Sequence, residues 1–131
     1  MEPAVDFSDA SARHGTIAVV TGAAATIVAL SGDLDLSTAP ALREVLLDLV
    51  GQPLVVLDLE RCTFLDSTVL GVLVAASRRM ADEGGALVGV GAQGIVRNAL
   101  RVTRMSELLQ DIDALDPDTA ALLQTHRSAR D

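Results

Sequence analysis

The chain has 131 residues, a formal net charge of −8, half its residues apolar, and no tryptophan or tyrosine. That length suits one domain with its own core and is too short for two. The acidic balance, without a cluster of Lys and Arg and without aromatics to stack bases, excludes nucleic-acid binding.

Residues 1–14 are polar, small and aperiodic, and are expected to form a flexible N-terminal arm. They lack a basic stretch ahead of an apolar one, so no signal peptide is expected. Thr16 to Thr21 and Thr26 to Ser31 are short β-branched runs separated by Gly22 and three alanines, the pattern of a hairpin. Ser37 or Thr38 then offers an N-cap, with Pro40 in the first helical turn. Leu42, Val45, Leu46, Leu49 and Val50 follow at helical spacing, and Gly51 ends that helix.

Leu54 to Leu59 is almost continuously apolar, as a central strand covered on both faces should be. A loop from Glu60 to Leu65 is expected next, and Asp66 or Ser67 caps a second helix running to about Ala81. Its apolar side reads as Leu70, Leu73, Val74 and Ser77. Gly84 and Gly85 close it, and Ala86 to Val90 reads as another buried strand. Ile95, Val96, Ala99 and Leu100 mark a third helix, Leu108 to Ile112 a last strand, and Asp116-Pro117 opens a final helix through Leu122. Strands alternating with helices make this an α/β chain with parallel strands and right-handed crossovers.

That topology has a functional corollary. The loops after the strands ending near Ser31, Leu59 and Val90 should emerge at one edge of the sheet, where ligands and partners dock in open α/β sheets. This edge would carry Asp33, Asp35 and Thr38, then Asp66, Ser67 and Thr68, then Gly91, Gln93 and Gly94. Three loops are expected to converge.

Candidate chemistry is sparse. Gly89, Gly91 and Gly94 satisfy G-x-G-x-x-G, with Asp111 beyond it, yet too little chain follows to hold a dinucleotide. Gly89 and Gly91 are better read as a tight turn and Gly94 as a close-packing position. Asp33 and Asp35 form a carboxylate pair without a third acid or histidine to complete a metal site. Cys62 is the only cysteine, so no internal disulfide or cysteine-based metal site exists, and it reads as a small buried hydrophobe. His14 and His126 sit in polar segments near opposite ends of the chain, neither placed to serve Ser67 as a base for nucleophilic catalysis. The Asp66-Ser67-Thr68 segment can be a plain helix cap; it can equally hold a phosphoryl group, because a helix N-terminus stabilises an anion. No apolar stretch in the middle of the chain, Val69 to Ala76 included, is long enough to span a bilayer, and a cytoplasmic protein is expected.

Ser31-Gly32-Asp33-Leu34-Asp35-Leu36-Ser37-Thr38-Ala39, Val56-Leu57-Asp58-Leu59, Phe64-Leu65-Asp66-Ser67-Thr68, Gly84-Gly85 and Val96-Arg97 occur in an order that resembles the STAS-domain family. The likeness is to bacterial anti-sigma factor antagonists in particular, and it covers roughly residues 16 to 125. It implies a single domain over residues 15–125 and a short tail over 126–131. The sheet it implies is mixed, of about four or five strands flanked by about four helices. It also implies partner switching. An anti-sigma factor with serine kinase activity would phosphorylate Ser67, a serine phosphatase would reset it, and the unmodified form would capture the anti-sigma factor. Asp33, Asp35, Thr38, Asp66, Thr68, Val69 and Gln93 are the partner-binding residues this reading implies. The protein would be a monomer or weak dimer, with no catalysis, cofactor or metal of its own. A non-switching scaffold or ligand sensor within a larger regulatory assembly is the alternative. The chain departs from the family pattern at Val69, where glycine is usual. Its branched side chain is expected to crowd Ser67.

Overall fold

A computed structural model of the chain describes residues 15–130; the arm expected over residues 1–14 lies outside them. The β-branched runs pair as expected. β1 (Thr16–Thr21) and β2 (Thr26–Leu34) form an antiparallel hairpin, in unbroken register from Thr16 opposite Ser31 to Thr21 opposite Thr26. β3 (Leu54–Leu65) lies parallel to β2, and β4 (Ala86–Val90) parallel to β3. The sheet is therefore mixed, with the order β1-β2-β3-β4. Among the described residues four α-helices complete it: α1 (Ala39–Asp48), α2 (Ser67–Asp82), α3 (Gly94–Val102) and α4 (Pro117–Arg130).

The two sheet faces bury different partners. Val28, Leu30, Val55 and Leu57 form the main core with Leu42 and Leu46 of α1, Val69, Leu73 and Met80 of α2, and Val96 and Leu100 of α3. Ile27, Val56, Val88 and Val90 face the other way, onto Leu123 of α4. A strand buried on both faces is nearly continuous in apolar residues, which is why Leu54 to Leu59 lacks alternation except at Asp58.

Three expectations need correction. β3 does not stop at Leu59: it runs on to Leu65, through the segment read as a loop. β4 ends opposite Asp58, so this extension pairs only with β2, and only Cys62 and Leu65 are buried within it. Half-covered strand reads as loop when its polar residues are counted. Leu108 to Ile112 is no strand, but two 3-10 turns (Ser106–Leu108 and Ile112–Ala114) around a single bridge from Leu109 to Gly89. Leu108 packs so closely over the strand that a Cβ at Gly89 would lie 2.7 Å from its Cδ2. Finally, the expected tail at 126–131 is helical to Arg130.

The glycine motif also divides differently. Gly89 is the close-packing position, and Gly91 (φ 79°) makes the turn beside Glu60. Gly94 has open space where a side chain would go, so its value lies in its positive φ of 53°.

Among the described residues, one buried side-chain oxygen has no hydrogen-bond partner. Thr26 is fully buried, and its Oγ1 makes no hydrogen bond. Valine keeps nearly the same shape without the stranded hydroxyl. Thr26→Val is thus expected to raise stability by about 1 kcal/mol, read as a higher urea midpoint at unchanged slope.

Candidate functional site

The C-terminal ends of β2 and β3 finish side by side, Leu34 opposite Leu65, and the turn after each strand is built on that pairing. Asp66 donates its backbone N–H to the Leu34 carbonyl at 3.2 Å, stitching the two exits together. The β2–α1 turn then closes on itself. Asp35 accepts from the Ser37 backbone at 2.9 Å and from its hydroxyl at 2.6 Å, while the Asp35 backbone N–H donates to Thr38 Oγ1 at 2.9 Å. This is the local bonding by which Asp and Thr shape turns. Leu36 is pushed to the tip of the turn and is 68% exposed.

At the head of α2 the work is split between neighbours. Asp66 is the N-cap, and its Oδ1 accepts from the Val69 N–H at 3.0 Å. Ser67 is therefore released from capping, and both Ser67 and Thr68 are exposed. An anion on the Ser67 hydroxyl would stand at the positive end of a 16-residue helix. Asp33 is occupied nearby, accepting from the Thr63 hydroxyl at 2.5 Å.

Beside Thr68 a surface groove of about 400 Å³ runs between α1 and α2, lined by Arg43, Leu47, Gly71, Val72 and Arg79 among others. A second hollow over Leu36 and Pro40 shares Arg43, Thr68 and Val72 with it. Gly71 meets nothing within 4 Å at its Cβ position, so no packing demands glycine in mid-helix. Leu36, Arg43, Leu47, Gly71 and Arg79 were not singled out from the sequence. Leu36, a leucine among turn-forming residues, was the available signal.

Of the sequence-predicted residues, Asp33, Asp35, Asp66, Ser67 and Thr68 are brought together at the paired ends of β2 and β3. Val69 and Thr38 are not surface residues. Val69 is fully buried in the main core and Thr38 is 4% exposed, its hydroxyl also donating to the Asp35 carbonyl at 2.9 Å. Val69 consequently points away from the Ser67 approach, and the expected crowding does not arise. Gln93 is exposed but elsewhere: β4 ends opposite Asp58, and Gly91 lies against Glu60. Glu60 precedes Leu65 by five residues, roughly 16 Å of extended strand. Two loops converge, not three.

Near that third loop lies a buried charge to which the sequence assigned no role, although Asp58 stands within the Val56-Leu57-Asp58-Leu59 landmark. Asp58 is fully buried and grips Arg127 of α4 through two hydrogen bonds, 3.1 Å to Nε and 2.8 Å to Nη2, with Glu60 3.5 Å from Nη1. Those hydrogen bonds raise the Arg127 pKa above its ordinary value. A lone acid in an apolar strand was the clue. Cys62 is buried, and loss of solvent pushes its thiol up to about 11, so it is held uncharged at neutral pH. Among the described residues no group of three His, Cys, Asp or Glu could hold a metal ion, and no helix is long and apolar enough to cross a membrane.

The family model described as "Mlab, STAS domain" matches residues 17–110. No curated protein matches the chain in sequence. Among solved structures, an anti-sigma factor antagonist from Mycobacterium paratuberculosis is similar, with a TM-score of 0.68 and 25% identity over 89% of this chain and 97% of that one. The anti-sigma factor antagonist SpoIIAA in its unphosphorylated form has a TM-score of 0.68 at 16% identity, over 80% of this chain and 92% of its own. A sulfate transporter family protein from Wolinella succinogenes has a TM-score of 0.61 at 19% identity, over 86% and 93%. The last two share the fold.

Proposed function

This chain belongs to the STAS-domain family, and from that membership we propose that it is an anti-sigma factor antagonist switched by phosphorylation of Ser67. The observation that carries the reading is the division of labour at the head of α2: Asp66 caps, and Ser67 is exposed and free of that duty. A kinase can modify such a hydroxyl without dismantling the helix. The phosphate then gains from the helix dipole within the free protein. In a complex the balance reverses. Phosphate adds about −1.5 to −2 charges to a surface that a partner must cover, beside the apolar Leu36. Burying it unpaired costs several kcal/mol, about 1.4 of which is already tenfold in affinity.

In this reading the protein works in the cytoplasm as substrate and binder, without catalysis of its own. The unmodified form captures an anti-sigma factor, and a serine phosphatase restores it after release. The test is direct. A candidate anti-sigma kinase from the same genome, with labelled ATP, should modify the wild type and leave Ser67→Ala unlabelled. Ser67→Asp should bind that anti-sigma factor at least about tenfold more weakly at unchanged circular dichroism. Equal binding by wild type, Ser67→Asp and phosphorylated protein would sink the proposal and favour a non-switching scaffold.

A further inference from the structure

The two edges of the sheet are treated differently. β4 is closed over by the chain beyond it: Leu109 bridges to Gly89, and the Gln110 N–H donates to the Gly89 carbonyl at 2.8 Å. β1, the opposite edge, has β2 as its one neighbour among the described residues. An edge strand presents a row of unpaired N–H and C=O groups, which proteins usually guard with charges, proline or a bulge. β1 has none of these. Its six residues are Thr-Ile-Ala-Val-Val-Thr, and its register with β2 is unbroken.

Both faces of that edge are apolar as well. Val19 packs against the main core and Val20 against the α4 side, and both remain only partly buried. Charge points the same way. In a chain of net charge −8, no charged residue occurs from Gly15 to Gly32. Two copies of such a chain repel each other, and least where they meet along this uncharged hairpin.

We propose that β1 is the interface through which two copies of this chain associate, pairing antiparallel about a two-fold axis through the strand. Antiparallel strands satisfy such an axis, because each strand offers the other the same groups in return. The product is one continuous eight-stranded sheet. Further burial of Val19 and Val20 adds to the new ladder of backbone hydrogen bonds. The two Ser67 sites lie beyond the far ends of β2 and β3 and are not consumed, so the proposal stands or falls apart from the phosphorylation reading.

The full chain should be followed by sedimentation velocity from about 1 to about 200 µM, where mass action drives a reversible dimer. The mass should rise from one chain to two, and amide hydrogens of residues 16–21 should gain protection as concentration rises. Ala18→Lys sets like charges across the paired strands and should weaken association by at least about tenfold, with an unchanged melting temperature of the monomer. Should Ala18→Lys not fold, Thr16→Lys serves in its place. A monomer at every concentration overturns the proposal. So does a dimer indifferent to these lysines, or protection of β1 that is already complete at the lowest concentration, since the edge is then covered within one copy.

Discussion

Arg127→Ala is expected to destabilise the domain by about 3 kcal/mol or more, since it removes from a buried carboxylate the opposite charge that it pairs with. Asp58 is fully buried, and Arg127 supplies two of its hydrogen bonds. Glu60 gives no relief, being itself negative; its N–H does donate to Asp58 Oδ1 at 3.2 Å, which is too little to replace a guanidinium. The double variant Asp58→Asn with Arg127→Ala should recover part of the loss, because no charge is then buried. Urea unfolding of four proteins, the wild type, Arg127→Ala, Asp58→Asn and the double variant, measures this as a non-additive cycle. An Arg127→Ala midpoint within experimental error of wild type would mean that the pair contributes nothing.

Val69→Gly should cost about 3 kcal/mol, from the loss of a fully buried valine together with glycine's lower helix propensity. The reason is geometric. Ser67 and Thr68 face solvent at the first turn of α2, and Val69, one residue on, faces the main core with Leu73 and Met80. Glycine at this position, usual in the family pattern, would therefore open a cavity rather than a path to the hydroxyl. Phosphorylation of folded Val69→Gly should be no faster than that of wild type, and the melting temperature should drop. Faster initial rates at a temperature where both proteins are folded would show that the valine does obstruct the kinase.

Both cases mark the limit of what periodicity reveals. The apolar stripe of α1, the hairpin and the buried centre of β3 were legible, since each is a local pattern of residue type with a fixed period, and a cap at the head of α2 was legible with Asp66 and Ser67 left open. The six-residue overrun of β3 past Leu59 was not. Cys62 and Leu65 carry its buried side, but Glu60, Arg61 and Thr63 dominate the segment, and only the position where β4 ends explains why one face is open. The same missing fact misplaced Gln93, because the level of a loop depends on how far its neighbouring strand continues. Thr38 and Val69 were misplaced for another reason: a motif does not distinguish residues that face a partner from residues that build the site. One of these two holds the turn together and the other fills the core. The place of Ser67 at the exposed head of α2 was legible from the helix start. Arg127 was invisible, as its partner lies 69 residues away.

That separation sets a schedule for the newborn chain. At roughly 5 to 20 residues per second, a ribosome takes roughly 3 to 14 seconds to travel from codon 58 to codon 127. During that interval Ile27 and Val56, joined by Val88 and Val90 once these are made, lack the helix that covers them, and Asp58 lacks Arg127. The front of the sheet can pack while the back stays wet. Nascent chains caught in this window would offer an oily strip with an acid in its midst, a natural target for holding chaperones until α4 emerges to shut it.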